Sequence, residues 1–191
     1  MEFSDLVRAR RSIRKYTDEP VSREDLQAIL EDACWAPSAQ NLQPWFFQAL
    51  TKREDIEWLF SQLAITAPAH RKELEARFKN NPEVVDDTMR FMRRAGGASV
   101  VVLAYALRPS YSDDVKDSVV ESVAAAMNDI CLAAANRGIG SCWVEYVTRV
   151  GDAVRDRFAP DKGPLLGAVM LGHAAQEPKA PRRKDGRFEI L

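Results

Sequence analysis

Only two histidines, His70 and His173, occur in the whole chain. Neither stands at a spacing from Cys34, Cys131 or Cys142 that makes a zinc site. Neither adjoins a serine in a strand-turn context, so a nucleophile–histidine–acid triad has no support. The three cysteines are too few and too far apart for a disulfide framework; they read as reduced core thiols of a cytoplasmic protein. No GxGxxG follows a strand pattern and no GxxxxGK[ST] is present, which removes two common nucleotide-binding folds. A basic surplus is also missing: 27 Lys and Arg face 28 Asp and Glu, for a formal net charge of −1, so nucleic acid is not an expected partner. Met1 to Asp5 shows no apolar core of a secretory leader. No uninterrupted apolar run of about 18 residues occurs, so no membrane partner is expected. Repeats and low-complexity segments are absent.

What remains is an ordinary globular composition, 46% hydrophobic and 29% charged over 191 residues. That suits one domain spanning 1–191 with a sizeable core. Against the balanced total charge, one local cluster stands out. Arg8, Arg10, Arg11, Arg14 and Lys15 place five cations within eight positions, with Ser12 among them and no acid. Guanidinium groups present paired donors that match phosphate oxygens, and a hydroxyl adds a short neutral donor. The stretch therefore reads either as a clamp for a small phosphorylated ligand or as a solvated basic helix end.

Periodicity orders the rest. A short helix is expected over 3–10, and a second over 23–35, opened by Ser22 with an acid three residues on. The proline-bounded, amide-rich stretch Ala36 to Trp45 reads as an ordered irregular loop, followed by a buried strand over 46–50. Thr51 to Glu54 has the form of another capping box, with a helix to about Leu63. Two further helices joined at Asn80-Asn81-Pro82 are expected between Thr66 and Arg94, so that 64–94 forms an excursion or lid. Ser99 to Tyr105 is apolar on both faces and reads as a central strand, and 108–114 as a polar loop. The helix 117–137 is small and apolar nearly all round, which fits burial in a core or against a second chain. Strands over 141–147 and 165–171 enclose a short helix over 150–158. The tail, 173–191, carries Arg182-Arg183-Lys184 and ends in Phe188-Glu189-Ile190-Leu191, an ending that suits docking as an added strand. The order gives an α+β fold, a small sheet wrapped by helices.

Four separated segments together resemble the FMN-dependent nitroreductase family. They are Arg10-Arg11-Ser12-Ile13-Arg14-Lys15-Tyr16; Ala36 to Trp45; Ala133 to Trp143, with its Gly-Ile-Gly-Ser-Cys-Trp ending; and Gly172-His173 through Arg182-Arg183-Lys184. The resemblance implies an intertwined homodimer with the long helix at its axis, a C-terminal tail that embraces the partner subunit, and FMN at the interface. It assigns Arg10, Ser12 and Arg14 to the FMN phosphate, ribityl chain and pyrimidine edge, with Arg11 in the same motif. Pro37, Ser38 and Asn41 match positions that reach the flavin from the other subunit. Val144 and Glu145 fall where a backbone N–H approaches flavin N5, and Trp143 falls beside the ring. Arg182 and Arg183 match the tail positions that complete the phosphate site, and Arg93 is the candidate cation just before the central strand.

The implied activity is oxidation of NADH or NADPH and reduction of a small acceptor, a nitroaromatic or quinone, by turns in one pocket. The flavin carries the hard chemistry, and the protein needs positive charge near its pyrimidine end. The resemblance also admits a dehalogenase, an enzyme that fragments reduced flavin, or a flavin-binding sensor without turnover. The segments 64–94 and 108–116 are where lids would set that choice.

Overall fold

The computed structural model describes residues 2–107 and 117–191. The segment 108–116, read from sequence as a polar loop, lies outside them. Ten regular elements follow in order: α1 (Phe3–Ala9), α2 (Arg23–Ala33), β1 (Trp45–Leu50), α3 (Arg53–Arg77), α4 (Pro82–Arg94), β2 (Val100–Ala106), α5 (Asp117–Asn136), β3 (Gly140–Val144), α6 (Gly151–Phe158) and β4 (Leu165–Gly172). The strands form one sheet in the order β1-β2-β4-β3, every neighbouring pair antiparallel. This is the α+β arrangement expected from the sequence.

β2 explains why the sheet is central. Its residues alternate between two buried layers: Val101, Leu103 and Tyr105 join Leu59, Leu63 and Phe91 from α3 and α4. Val100, Val102 and Ala104 join Ile29 of α2 and Val123, Met127 and Ile130 of α5. Successive side chains of a strand point to opposite faces, so a strand apolar at every position needs cover on both sides, and it has that cover here. α5 owes its nearly all-round apolarity to this place. It is long and apolar enough to cross a bilayer by composition, but half of that window is packed inside the fold.

Three boundaries differ from the sequence reading. Ser22 caps α2 as expected, its hydroxyl accepting from the Asp25 N–H at 3.0 Å, but Thr51 caps nothing. The N-cap of α3 is Lys52, without a side-chain bond. Secondly, α3 runs 25 residues straight through Pro68, where the sequence suggested a break. The proline removes one backbone bond at a cost of about 3 kcal/mol. Against that, the second half of α3 is tied to neighbours: Arg71 pairs with Glu75 at 2.9 Å and with Asp86 of α4 at 2.8 Å. Glu73 binds Arg149 at 2.5 Å. Thirdly, β3 stops at Val144 because Glu145 turns into the helical region (φ −77°, ψ −31°), and a 3₁₀ turn occupies Tyr146–Val150. Pro82 sits in the first turn of α4, where its missing N–H costs nothing.

Candidate functional site

Residues 10–17 have no regular structure, yet they are tied down at every other step. The Arg10 N–H closes α1 on Leu6 O. Ser12 bridges Ser141 on the free edge of β3, with the Ile13 N–H on Ser141 O at 2.8 Å. The Tyr16 N–H reaches Gly96 O at 3.0 Å, and the Thr17 N–H reaches His173 O at 2.9 Å. Ile13 and Tyr16 turn inward and are buried, and the Tyr16 hydroxyl donates to Ile13 O at 2.6 Å. Burial holds that phenol well above the usual tyrosine range. With the apolar positions of this strap locked under it, Arg14 and Lys15 are left outward. Arg11 behaves differently from its neighbours: its guanidinium folds back onto Arg8 O (2.5 Å) and Arg10 O (2.8 Å). There it caps α1.

The strap forms one wall of a cavity of about 870 Å³. β3 and the following turn contribute Cys142, Trp143, Val144, Glu145 and Tyr146; α3 contributes His70; α4 and its approach contribute Phe78, Val84, Thr88, Phe91 and Arg94. The size suits a cofactor with a substrate beside it. Its lining is divided. At the strap end stand Arg14 and Lys15, and over the whole site four basic residues (Arg14, Lys15, Arg90, Arg94) face two acidic ones (Asp87, Glu145). At the α3–α4 end Phe78, Val84, Phe91 and Met92 stand among His70, Asp87, Thr88, Arg90 and Arg94. Burial pushes the Cys142 thiol up, and the charges of Arg14 and then Arg10 oppose this. Both guanidinium groups of the strap therefore act on the β3 edge. Trp143, next along β3, is 41% exposed, with its indole near Gly167.

Of the residues singled out in sequence, the cavity thus gathers Arg14, Trp143, Val144 and Glu145, with Arg10 and Ser12 on the same strap. Arg93 is not among the lining residues. It follows Val84 by nine positions, half a turn out of phase at 3.6 residues per turn, so it faces away while Arg90 and Arg94 line the site. Pro37, Ser38 and Asn41 lie on a separate loop. Its shape is set by Ser38 Oγ accepting from the Gln43 N–H (3.0 Å), by Gln43 Nε2 on Asn41 Oδ1 (3.1 Å), and by left-handed Gln40, Asn41 and Gln43. Arg182 and Arg183 are on the exposed tail, where Arg182 meets Asp185 at 3.4 Å. His70, Tyr146, Phe78 and Phe91 were not foreseen. Tyr146 could have been found, two residues beyond Val144; His70 carried no local signal. Among the described residues no group of three or more His, Cys, Asp or Glu is placed to hold a metal ion.

A planar aromatic body held beside a cationic strap is what this arrangement can bind, and comparison with known proteins points the same way. The family model described as "Nitroreductase family" matches residues 7–173. A protein of Archaeoglobus fulgidus, named for NADH dehydrogenase or NAD(P)H nitroreductase activity, is 32% identical over 190 residues, covering 98% of this chain and 93% of that one. Among solved structures, a nitroreductase-type protein of Desulfovibrio desulfuricans in complex with FMN aligns with a TM-score of 0.74 at 25% identity. It covers 100% of this chain and 98% of its own. The FMN-dependent nitroreductase of Mycobacterium smegmatis in complex with NADPH aligns with a TM-score of 0.77 at 20% identity, over 98% and 97% of the two chains.

Proposed function

The chain belongs to the nitroreductase family, and from that premise we propose that it is an FMN-dependent NAD(P)H oxidoreductase. It reduces a planar small-molecule acceptor, a nitroaromatic or quinone, by a ping-pong mechanism. The observation that carries this reading is the single cavity that joins Arg14 of the strap to Trp143, Val144 and Glu145 at the end of β3. The residues present fit FMN: flat apolar side chains on the walls, a surplus of cations, and a volume sufficient for the ring and a partner. The FMN and NADPH held by the neighbouring structures support the choice of cofactor and electron donor.

When bound, FMN supplies hydride and electron transfer between the two substrates. The residues of this chain do the holding. Arg10, Ser12 and Arg14 bind the phosphate, ribityl chain and pyrimidine edge, and the fixed charge of Arg14 favours an anionic ring without reorganisation. The end of β3 at Val144 and Glu145 meets the reactive edge, and Trp143 borders the ring. In this reading the protein is a cytoplasmic homodimer of one flavin-binding domain, 1–191. The loop carrying Pro37, Ser38 and Asn41 serves the partner subunit's flavin. The tail, with Arg182 and Arg183, wraps the partner, and its Phe188–Leu191 end adds a strand there. α5 contributes to the dimer axis.

The test is direct. Purified protein is expected to be yellow, to release FMN on denaturation, to be bleached by NADH or NADPH without oxygen, and to consume NAD(P)H steadily when a quinone is added. A colourless protein that takes up no FMN overturns the reading. A bound flavin that neither nicotinamide bleaches turns it into a binding protein without turnover.

A further inference from the structure

Resting on the oxidoreductase reading above, we propose that His70, stacked on Tyr146 with Nδ1 turned toward Glu73, presents its Nε2–H to the oxygen of a planar carbonyl- or nitro-bearing acceptor. His70 is thereby a specificity-determining donor at the α3–α4 end of the cavity.

The inference comes from asking which donors of that end are already used. Tyr146 would be the obvious candidate, but its hydroxyl lies 2.5 Å from Thr66 Oγ1, and Thr66 itself donates to Leu63 O at 2.9 Å. A hydroxyl has one proton to give, so the proton between them is that of Tyr146, directed into α3. Thr88 donates to Val84 O at 2.7 Å within its own helix. Arg90 is turned to Asp87 at 3.0 Å. Phe78, Val84 and Phe91 have nothing to donate. Arg94 also lines the cavity at α4, and among the rings of this end His70 alone carries ring nitrogens.

That ring is held in one orientation. The imidazole of His70 stacks on Tyr146 with centroids 3.9 Å apart and 31° between planes. Its Nδ1 is buried and makes no hydrogen bond; the Glu73 carboxylate is 3.6 Å away, too far for a hydrogen bond. Glu73 is fixed in turn by Arg149 at 2.5 Å, and Arg149 lies 5.2 Å from the centre of the Tyr146 ring. That hydrogen bond from Arg149 holds the Glu73 carboxyl below its ordinary range. The four side chains tie α3 to the turn after β3. With one face on Tyr146 and Nδ1 buried, the Nε2 edge is the part of His70 left to the cavity it lines. Nε2–H is the donor that this edge offers. A site that hydrogen-bonds a substrate oxygen discriminates against analogues lacking it far better than an apolar wall does.

Two substitutions separate this from packing. His70→Phe keeps a ring on Tyr146 and deletes both nitrogens; His70→Gln gives up the ring and keeps a donor at similar reach. Each is compared with wild type in three measurements on FMN-loaded protein: KM and kcat for menadione, the rate of anaerobic flavin bleaching by NAD(P)H, and the Kd of acetophenone by ligand-observed NMR. The expected result for His70→Phe is a rise of about tenfold in menadione KM and acetophenone Kd, the loss of about one hydrogen bond. NAD(P)H bleaching stays within about twofold, and His70→Gln stays within about threefold of wild type throughout. Unchanged binding in His70→Phe overturns the proposal. So does equal impairment of the Phe and Gln variants, which means packing, or a loss confined to NAD(P)H bleaching, which means His70 serves the nicotinamide. Should the Phe variant not fold, His70→Asn, whose amide is too short to stand in for Nε2, gives the same comparison. Wild-type protein that binds no FMN is a different result and brings down the oxidoreductase reading first.

Discussion

Two irregular segments of this chain are rich in arginine and lysine, and the family resemblance assigns both to the phosphate site, yet the fold treats them in opposite ways. The strap, 10–17, spends its backbone bonds on β3, on Gly96 and on His173, and buries Ile13 and Tyr16. The tail, 173–191, is tied to the strap only at its start, where the Ala175 N–H reaches Lys15 O, and leaves Phe188 at 87% and Ile190 at 89% exposure. Irregular backbone is rigid when its N–H and C=O groups have fixed partners, and only the strap meets that condition within one chain. The strap's order is therefore a property of the subunit. In the homodimer proposed above, the order of the tail belongs to the pair, since an apolar ending gains nothing until a second surface covers it.

The comparison can be broken most severely at two glycines with nearly the same backbone. Gly96 has φ +63° and Gly186 has φ +66°. A Cβ on Gly96 would stand 2.1 Å from the carbonyl oxygen of Arg14, whereas one on Gly186 would meet nothing within 4 Å. Gly96→Ala thus combines a left-handed alanine with a clash that only movement of the strap relieves. We expect a loss of about 2–4 kcal/mol in unfolding free energy. Gly186→Ala carries only the conformational cost, in a segment that contributes little to the fold of one chain, and should leave the urea midpoint within error. Equal effects of the two substitutions would refute the division between strap and tail.

The same contrast explains what was legible in the sequence. β2 announced itself because every one of its positions is apolar, and α2 because Ser22 and Asp25 stand three apart; both signals are local. Arg14, Trp143 and Val144 were legible for the same reason, being carried by short motifs. The course of α3 past Pro68 was not, since its second half is held by Asp86 and Arg149, partners 15 and 76 positions away. His70 could not be foreseen as a lining residue because the stack that places it there joins residues 76 positions apart. Arg93, the candidate cation before β2, is not among the cavity's lining residues, because the phase of α4 turns Arg90 and Arg94 to the cavity instead.

The second way to sharpen the comparison is through the ligand. Arg10→Ala removes a strap cation that already acts on the β3 edge, and FMN affinity should fall by more than about 1.5 kcal/mol. Arg183→Ala removes a cation that is solvent-exposed in the single chain, and a loss of about 0.5–1 kcal/mol is expected. Equilibrium dialysis of both variants against FMN measures the difference. A larger loss for Arg183 would transfer the clamp from the strap to the tail.

The smallest effect concerns how the strap's charges act on the strand beneath them. Burial raises the Cys142 thiol, while Arg14 first and Arg10 second hold it back. In the unfolded chain a cysteine loses its proton near pH 8.5. Between that value and the higher one of the folded state, the unfolded chain binds fewer protons, so stability falls as pH rises. The contribution is complete below about pH 8.5 and is lost progressively above it. Cys131, also raised by burial, acts in the same direction, so Cys142→Ala should flatten the alkaline decline without abolishing it. Arg14→Ala should extend the decline to higher pH, because the folded thiol then loses its main electrostatic support. Urea midpoints at pH 7, 9 and 10 for wild type and the two variants test this. An alkaline slope indifferent to Arg14 would mean that the strap's guanidinium points to the cavity alone and leaves the strand untouched.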